Sequence, residues 1–202
     1  MQQTNIHRIC GIDEAGRGAL AGPLVSAAVV ITKKHEQLIA RSSLKIRDGK
    51  LLKREQRNKI YKFLQKQKVE MSTEVFSTRK INNRGIGRAN RETIRKLIKN
   101  TNADEYIVDG KLKLGHIKNK TQLVRCIVDA DATHLPTILA GIVAKVERDK
   151  LMHGLDQLFP LYGWKANCGY GTKIHQQALL KYGTCRYHRN IFVTTVMRKL
   201  NK

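Results

Sequence analysis

The sequence predicts an α/β protein, and two patterns indicate this class. Two apolar runs joined by a glycine-rich turn open the chain, as in a strand hairpin, and strand patterns then alternate with helix patterns. Hydrophobic residues make up 41% of the 202 residues, which is enough for one substantial core with a small appended subdomain. No internal repeat or low-complexity segment interrupts this layout.

The first half of the chain contains three strand patterns and two helix patterns. In chain order we predict strands at 8–13 and 19–31, a helix from about Lys53, a strand at 69–77 and a helix ending near Asn100. The turn of the first hairpin is at 16–18, and Pro23 suits a strand start or a bulge. Residues 36–52 show no clear period before a turn at 48–50.

The second half adds two strands and two helical regions. We predict strands at 106–109 and 122–129, a helix opened by Pro136 that ends near Gly154, and a helical region from about Thr172 to about Gly183. Leu151 is expected on the buried face of the first helix and Ile174 on that of the second. The domain boundary is placed between residues 155 and 156.

The charge balance is the strongest compositional signal. Thirty-nine Lys and Arg residues against 16 Asp and Glu residues give a net charge of +23, a field that attracts polyanions, with nucleic acid the leading candidate. An anionic membrane surface is disfavoured, since no basic segment has large apolar residues opposite its charges. A ribosomal surface, or one adapted only for solubility, stays open.

Compartment signals favour the cytoplasm. No apolar run is long enough to span a bilayer, and residues 1–5 lack the pattern of a signal peptide. The four cysteines lie far apart without Cys-x-x-Cys spacing: Cys10, Cys126, Cys168 and Cys185. Reduced thiols therefore fit better than disulfides or a zinc site.

Acidic residues end three of the predicted strands: Asp13 with Glu14, then Asp109, then Asp129 or Asp131. If these strands are neighbours, their ends meet at one sheet edge, where α/β proteins usually place ligands. Clustered carboxylates repel one another unless a cation neutralises them, and oxygen ligands suit Mg²⁺ or Mn²⁺. Two such ions about 3.5–4 Å apart can support phosphoryl displacement. Taken singly, each acid could instead cap a helix or turn.

Several motifs resemble those of the type 2 ribonucleases H, the ribonuclease HII family. Residues 11–18 (Gly-Ile-Asp-Glu-Ala-Gly-Arg-Gly) and 20–23 (Leu-Ala-Gly-Pro) resemble its opening motif, and residues 108–110 (Val-Asp-Gly) its second motif. The third and the C-terminal motifs are matched by Asp131 with residues 144–149, and by residues 169–172 with His175, His188 and Arg189. The resemblance covers nearly the whole chain.

This resemblance implies a ribonuclease H-like mixed sheet flanked by helices. Residues 1–155 would form the catalytic domain, and residues 156–202 a small C-terminal helical subdomain that contributes to substrate binding. The implied enzyme is a monomeric, cytoplasmic endoribonuclease of DNA replication and repair. It would cut the RNA strand of RNA–DNA hybrids, and would cut 5′ of ribonucleotides embedded in duplex DNA, leaving a 3′-hydroxyl and a 5′-phosphate.

The resemblance also implies the metal ligands. Asp13, Glu14, Asp109 and Asp131 would hold two divalent ions, Mg²⁺ or Mn²⁺, during catalysis. Asp129 is the rival for the fourth place, and we prefer Asp131 because its spacing to residues 144–149 resembles the family pattern.

Substrate contacts follow from the same motifs. The 2′-hydroxyl separates RNA from DNA, and the backbone of Gly16, Arg17 and Gly18 would contact it. Tyr170 would stack on the sugar after the ribonucleotide, with an ordinary half-buried core tyrosine as the alternative. Lys50 would contact a phosphate, with a solvated surface lysine as the alternative.

Three positions depart from the family pattern: Gly49 and Ile191 replace serines, and Cys168 replaces a basic residue. These departures bear on substrate affinity and cleavage preference rather than on the metal ligands. Asp149, inside a predicted helix, is expected to pair with a nearby cation. The rival functional class is a non-catalytic, basic nucleic-acid-binding protein that retains the fold.

Overall fold

A five-stranded mixed sheet forms the centre of the protein, with its strands in the spatial order Glu70–Phe76, Leu24–Ile31, Ile9–Ala15, Glu105–Asp109 and Leu123–Ile127. The computed structural model describes residues 6–117 and 122–200, and for residues 199 and 200 the backbone alone. The strands are β1 Ile9–Ala15, β2 Leu24–Ile31, β3 Glu70–Phe76, β4 Glu105–Asp109 and β5 Leu123–Ile127. The first three pair antiparallel, whereas β1, β4 and β5 run parallel.

Helices cover both faces of the sheet. They are α1 Lys33–Ala40, α2 Arg54–Lys66, α3 Thr78–Arg84, α4 Ile86–Asn100, α5 Ala130–Thr133, α6 Leu135–Leu158, α7 Trp164–Asn167, α8 Lys173–Tyr182 and α9 Asn190–Leu200. Short 3₁₀ helices occupy Gly49–Leu51 and Pro160–Tyr162. Side-chain caps begin two of the helices, Ser77 for α3 and Thr172 for α8, and Pro136 lies in the first turn of α6.

The core has a layer on each side of the sheet because successive strand residues face opposite ways. On one face, Ala27 and Val29 of β2 pack with α2 and α6. On the other, Ala28 and Val30 pack with α4. Helix α6 lies directly against β1, since a Cβ on Gly11 would overlap the backbone between Pro136 and Thr137. This contact fixes α6 next to the acidic end of β1.

The C-terminal helices form a third cluster around Trp164, which is fully buried. Met152 from α6 joins this cluster, and so do Leu20 and Ala21 from the segment that links β1 to β2. The linking segment is therefore enclosed by residues from the other end of the chain.

The predicted α/β class, the mixed sheet and the C-terminal helical part are confirmed. The start of the second strand at residue 19 is wrong: β2 begins at Leu24, because residues 20–22 hydrogen-bond with the C-terminal part instead of with β1. Helices α1 and α9 were missed. None of the helices in the described ranges combines the length and apolar content that a bilayer crossing requires.

The long helix also differs from the prediction. It passes Gly154 and ends at Leu158, since Met152 and Leu155 continue its buried face into the third cluster. Leu151 is 41% exposed and Ile174 is 65% exposed, so neither lies on a buried face. Helix α6 thus runs through the predicted domain boundary at 155, and the division into 1–155 and 156–202 stays a prediction. Residues 1–5, 118–121, 201 and 202 lie outside the described residues.

Candidate active site

All nine residues proposed from the sequence line one cavity of about 570 Å³. These residues are Asp13, Glu14, Gly16, Arg17, Gly18, Lys50, Asp109, Asp131 and Tyr170. The cavity lies at the edge of the sheet where the parallel strands β1 and β4 end, with α6 alongside. The acids that end separate strands in the sequence therefore line the same cavity in the folded protein.

Strand register brings the first three carboxylates together. Ile12 of β1 pairs with Val108 of β4, so the next residues along each strand, Asp13 and Asp109, lie side by side. Glu14 points to the opposite face of the sheet from Asp13, but both side chains reach the cavity because it opens at the strand ends. The N–H of Glu14 donates a hydrogen bond of 2.7 Å to Asp13 Oδ1.

The fourth carboxylate in the cavity is that of Asp131 and not that of Asp129. Asp131 is 6% exposed, and its N–H donates to Asp109 Oδ1 at 3.3 Å. Asp129 is exposed, has a left-handed backbone (φ 56°) and does not line the cavity. The geometry favours Asp131 for the same place that the motif spacing indicated.

The electrostatics of these acids indicate a site for cations. Burial, followed by the negative charge of Glu14, raises the pKa of Asp13 well above its ordinary value. Burial also raises the pKa values of Glu14 and Asp109. Glu14 Oε2 is buried and accepts no hydrogen bond. Since oxygen ligands of this kind are the ones that Mg²⁺ and Mn²⁺ prefer, the residues present fit a divalent cation.

The four carboxylates line one cavity but do not meet at a single point. Within the described residues, no three His, Cys, Asp or Glu side chains are close enough to hold one ion. Lys50 Nζ lies 2.7 Å from Asp131 Oδ2 and forms an ion pair with it. The lysine therefore neutralises one of the four carboxylates.

The loop after β1 forms the wall opposite these acids. Gly16 has a φ of 91°, a conformation that favours glycine, and Ala19 N–H closes a tight turn by donating to the Gly16 carbonyl at 3.3 Å. Arg17 and Gly18 are exposed toward solvent. Arg17 also lies 3.6 Å from a Glu14 carboxylate oxygen, through its guanidinium.

Tyr170 completes the cavity from the C-terminal part. It is half-buried, and its ring lies 5.5 Å from the Lys145 ammonium and 5.3 Å from the central carbon of the Arg148 guanidinium. Both distances suit cation–π attraction, which holds the ring against α6.

Comparison with known proteins gives the same assignment. The sequence profile of the family described as Ribonuclease HII matches residues 10–195. Ribonuclease HII of Ehrlichia chaffeensis is 38% identical over 186 residues, which cover 91% of this chain and 85% of that protein. Ribonuclease HII of Campylobacter concisus is 36% identical over 186 residues, with 92% and 93% covered. The chain belongs to the ribonuclease HII family.

A solved structure shows the same fold as this chain. Ribonuclease H2 from Pyrococcus horikoshii superposes with a TM-score of 0.77 at 22% identity, over 96% of this chain and 99% of that one. Another similar structure is an RNase HIII in complex with Mn²⁺, with a TM-score of 0.67 at 19% identity, covering 95% of this chain and 66% of that one. Family membership makes the protein a metal-dependent endoribonuclease and supports activity on RNA–DNA hybrids.

The sequence pattern did not single out one buried polar residue near these acids. Asn90 of α4 is 1% exposed, and neither Nδ2 nor Oδ1 of its side chain has a hydrogen-bond partner in the described residues. Its inward position in an amphipathic helix was a detectable signal, because a buried amide needs a polar partner.

The three departures from the family pattern lie in different surroundings. Gly49 lines the cavity beside Lys50 and comes close to Ile142 of α6. Cys168 is buried with a left-handed backbone, and its carbonyl accepts a hydrogen bond of 2.8 Å from Arg148. Ile191 is 69% exposed on α9. Of the three, Gly49 alone lines the cavity.

The remaining expectations concern Asp149 and the thiols. Asp149 pairs with Lys145 at 2.6 Å and with Arg57 at 3.5 Å, which confirms its expected pairing role. The Lys145 ammonium is the main cause that lowers the pKa of Asp149, although burial acts in the opposite direction and is larger as a single effect. No disulfide joins the four cysteines, all of which lie in the described residues.

Proposed function

We propose that this protein cuts the RNA strand of RNA–DNA hybrids and cuts 5′ of single ribonucleotides embedded in duplex DNA. The products would be a 3′-hydroxyl and a 5′-phosphate, formed by two-metal-ion catalysis. The observation that carries the proposal is the convergence of four carboxylates and the 16–18 loop in one cavity.

Asp13, Glu14, Asp109 and Asp131 would hold the two divalent ions, Mg²⁺ or Mn²⁺. When bound, such ions activate the attacking water and stabilise the leaving oxygen of the displacement. The buried Glu14 Oε2 has no hydrogen-bond partner, which supports a role as ligand. The raised pKa of Asp13 supports the same set, because burial without a cation disfavours its charged form.

The rest of the cavity would bind the nucleic acid. The backbone of Gly16, Arg17 and Gly18 would hydrogen-bond the 2′-hydroxyl, and the ring of Tyr170 would stack on the next sugar. Lys50, whose side chain is 78% exposed, would leave Asp131 and bind a phosphate instead. The net charge of +23 would supply the non-specific attraction to the duplex.

We further infer that the enzyme acts as a monomer in the cytoplasm, in DNA replication or repair. Duplex DNA with embedded ribonucleotides and RNA–DNA hybrids would be its partners, and no membrane would be involved. The absence of a disulfide among its four cysteines fits a reducing compartment.

The test is incubation of a duplex carrying one ribonucleotide with the protein and Mg²⁺ or Mn²⁺. We expect one cut 5′ of the ribonucleotide, no cut in the all-DNA duplex, and ends that a 3′-hydroxyl-dependent polymerase extends. Asp13→Asn should abolish cutting and keep binding, whereas Asp129→Asn should cut like the parent.

A chain that binds the duplex but never cuts it, with either metal, would be the non-catalytic nucleic-acid-binding protein. Equal cutting by Asp13→Asn and the parent would show that the metal ligands are assigned wrongly.

A further inference from the structure

We propose that Arg189 is a positioning residue for recognition of the 2′-hydroxyl. Its guanidinium holds the carbonyl groups of Gly16 and Arg17, so that the N–H groups of Arg17 and Gly18 point toward the cavity. The inference rests on the proposed function, in which the 16–18 loop contacts the 2′-hydroxyl. It assigns the orientation of that loop to a residue at the other end of the chain.

The contacts of Arg189 are made with the backbone of the loop and of the segment after it. Its Nη1 donates to the carbonyl oxygens of Gly16, at 2.7 Å, and Arg17, at 3.1 Å. Its Nε donates to the carbonyl oxygen of Gly22 at 3.0 Å. The side chain is fully buried, and the Phe192 ring lies 5.6 Å from the central guanidinium carbon. Carbonyl oxygens thus accept from Nε and Nη1, whereas the buried Nη2 has no hydrogen-bond partner in the described residues.

Because peptide groups are planar, these contacts also set the direction of two backbone N–H groups, those of Arg17 and Gly18. In a trans peptide the C=O and the following N–H point in opposite directions, and no peptide in the described residues is cis. With the Gly16 carbonyl directed at Arg189, the N–H of Arg17 points away from the protein interior. Because the Arg17 carbonyl is also directed at Arg189, the N–H of Gly18 points away from the protein interior as well. Within the described part of the chain, neither N–H donates to another backbone or side-chain group.

Arginine suits this task better than lysine would. A planar guanidinium presents five donors in a fixed arrangement, so a single group can hold several carbonyl oxygens at set angles, whereas an ammonium is a compact point charge. Burial, and then the nearby Arg148, lower the pKa of Arg189 to about 9, so it keeps its charge at neutral pH.

The backbone around Arg189 anchors the guanidinium. Its own N–H donates to the Leu20 carbonyl at 2.8 Å, and His188 forms a β-bridge with Ala21. The Nδ2 of Asn82, which belongs to α3, donates to the His188 carbonyl at 3.0 Å. The guanidinium is therefore fixed relative to the sheet before any substrate arrives.

The chain provides a control in Arg186, an exposed arginine three residues before Arg189. The central carbon of its guanidinium lies 6.0 Å from the Phe159 ring and 5.2 Å from the Tyr187 ring, and Arg186 does not line the cavity. Replacing either arginine with lysine removes a guanidinium from the same segment, but only the change at Arg189 releases the two loop carbonyls.

The experiment measures binding in the cleavage-deficient Asp13→Asn background by fluorescence anisotropy. Two duplexes of the same sequence are used, one all-DNA and one with a single ribonucleotide, and the ratio of their affinities is the readout. We expect Arg189→Lys to lower this ratio about fivefold, the loss of one neutral hydrogen bond, and to change affinity for the all-DNA duplex less than twofold. Arg186→Lys should keep the ratio of the background protein.

Three outcomes would overturn the inference. Arg189→Lys keeps the ratio, or both lysine variants lower it equally, or the background protein itself does not distinguish the duplexes. The last outcome would also remove 2′-hydroxyl recognition by the loop from the proposed function, whereas the first two would leave it standing.

If Arg189→Lys does not fold, NMR spectra of the Asp13→Asn protein supply the test. The amide signals of Arg17 and Gly18 should move when the ribonucleotide duplex replaces the all-DNA duplex, and the Arg189 Nη protons should exchange slowly with solvent. Rapid exchange of those protons, or unmoved amide signals, would contradict the proposal.

Discussion

Lys50 Nζ lies 2.7 Å from Asp131 Oδ2, and this ion pair joins residues 81 positions apart at the mouth of the cavity. The carboxylate is 8% exposed, whereas the lysine side chain is 78% exposed. The hydrogen bond to Asp131 is the main cause that raises the pKa of Lys50. The ammonium therefore competes for a carboxylate that the proposed function assigns to a divalent ion.

Replacing Lys50 with Gln should strengthen the binding of Mn²⁺ and weaken the binding of substrate. Removing an exposed ion pair worth about 0–1 kcal/mol gives up to about a fivefold gain in metal affinity. Electron paramagnetic resonance titration with Mn²⁺, without nucleic acid, measures the gain. Lys53→Gln removes the same charge outside the cavity and should leave metal affinity unchanged; an equal gain would attribute the effect to net charge.

Asp131→Asn and Asp129→Asn should differ strongly in cutting activity. Asp131 lines the cavity and Asp129 does not, so we expect single-turnover cutting to fall about 100-fold or more for Asp131→Asn. Asp129→Asn should cut within about twofold of the parent, as expected for a surface substitution. The reverse ranking would make Asp129 the fourth ligand.

Gly141→Ala should displace Asp13. A Cβ on Gly141 in α6 would overlap Asp13 Oδ2, so the carboxylate must move although alanine favours the helix. We expect at least about a tenfold loss of cutting, with the helical circular dichroism retained. Gly154→Ala is the control in the same helix, because a Cβ there meets nothing within 4 Å. It should raise the free energy of unfolding by up to about 1 kcal/mol and keep activity.

Tyr170→Ala should weaken binding of the ribonucleotide duplex about tenfold, in line with 1–3 kcal/mol for an aromatic stacking contact. Tyr170→Phe keeps the ring and should bind like the parent. Binding is measured by anisotropy in the Asp13→Asn background, with the all-DNA duplex as the reference. If the alanine and phenylalanine variants are equally weak, the hydroxyl rather than the ring makes the contact.

Acid should destabilise the C-terminal cluster through His188. His188 Nδ1 accepts from the Cys185 N–H at 2.9 Å, and its Nε2 lies 3.1 Å from His175 Nε2. Burial, and then His175, lower the pKa of His188 from 6.5 to about 4. Between these values the unfolded chain binds a proton that the folded chain does not. The free energy of unfolding should therefore fall as the pH drops from about 6.5 to about 4, by up to about 1.4 kcal/mol per pH unit.

Urea denaturation at several pH values checks this slope. Other groups contribute to the parent's slope, so the comparison is with His188→Asn, which should be flatter. His116→Asn changes an exposed histidine and should keep the slope of the parent. If both variants keep the slope of the parent, His188 binds its proton in the folded protein as it does in the unfolded chain, and the prediction is wrong.

Patterns local in the sequence determined most of the sheet and the proposed metal ligands. A run of apolar residues followed by a polar residue predicts a buried strand and its end. Asp13, Glu14 and Asp109 could therefore be identified near the ends of their strands. Neighbouring residues could not separate Asp129 from Asp131, because the path of the chain after β5 is set by the rest of the fold. Motif spacing indicated Asp131, and Asp131 is the one of the two that lines the cavity.

The tertiary structure alone decided what holds the 16–18 loop. Motif matches include Arg148 and Arg189, but in a chain with 39 Lys and Arg residues nothing local shows which groups either guanidinium binds. Two of the carbonyl groups that accept from Arg148 are 125 and 127 positions away in the sequence, and the third is that of Cys168. Those that accept from Arg189 are 167–173 positions away. A buried guanidinium is stable only where such oxygens converge, and folding of the whole chain creates that convergence. The sequence by itself therefore determined the sheet and its acidic ends, while the orientation of the loop beside them required the packed C-terminal part.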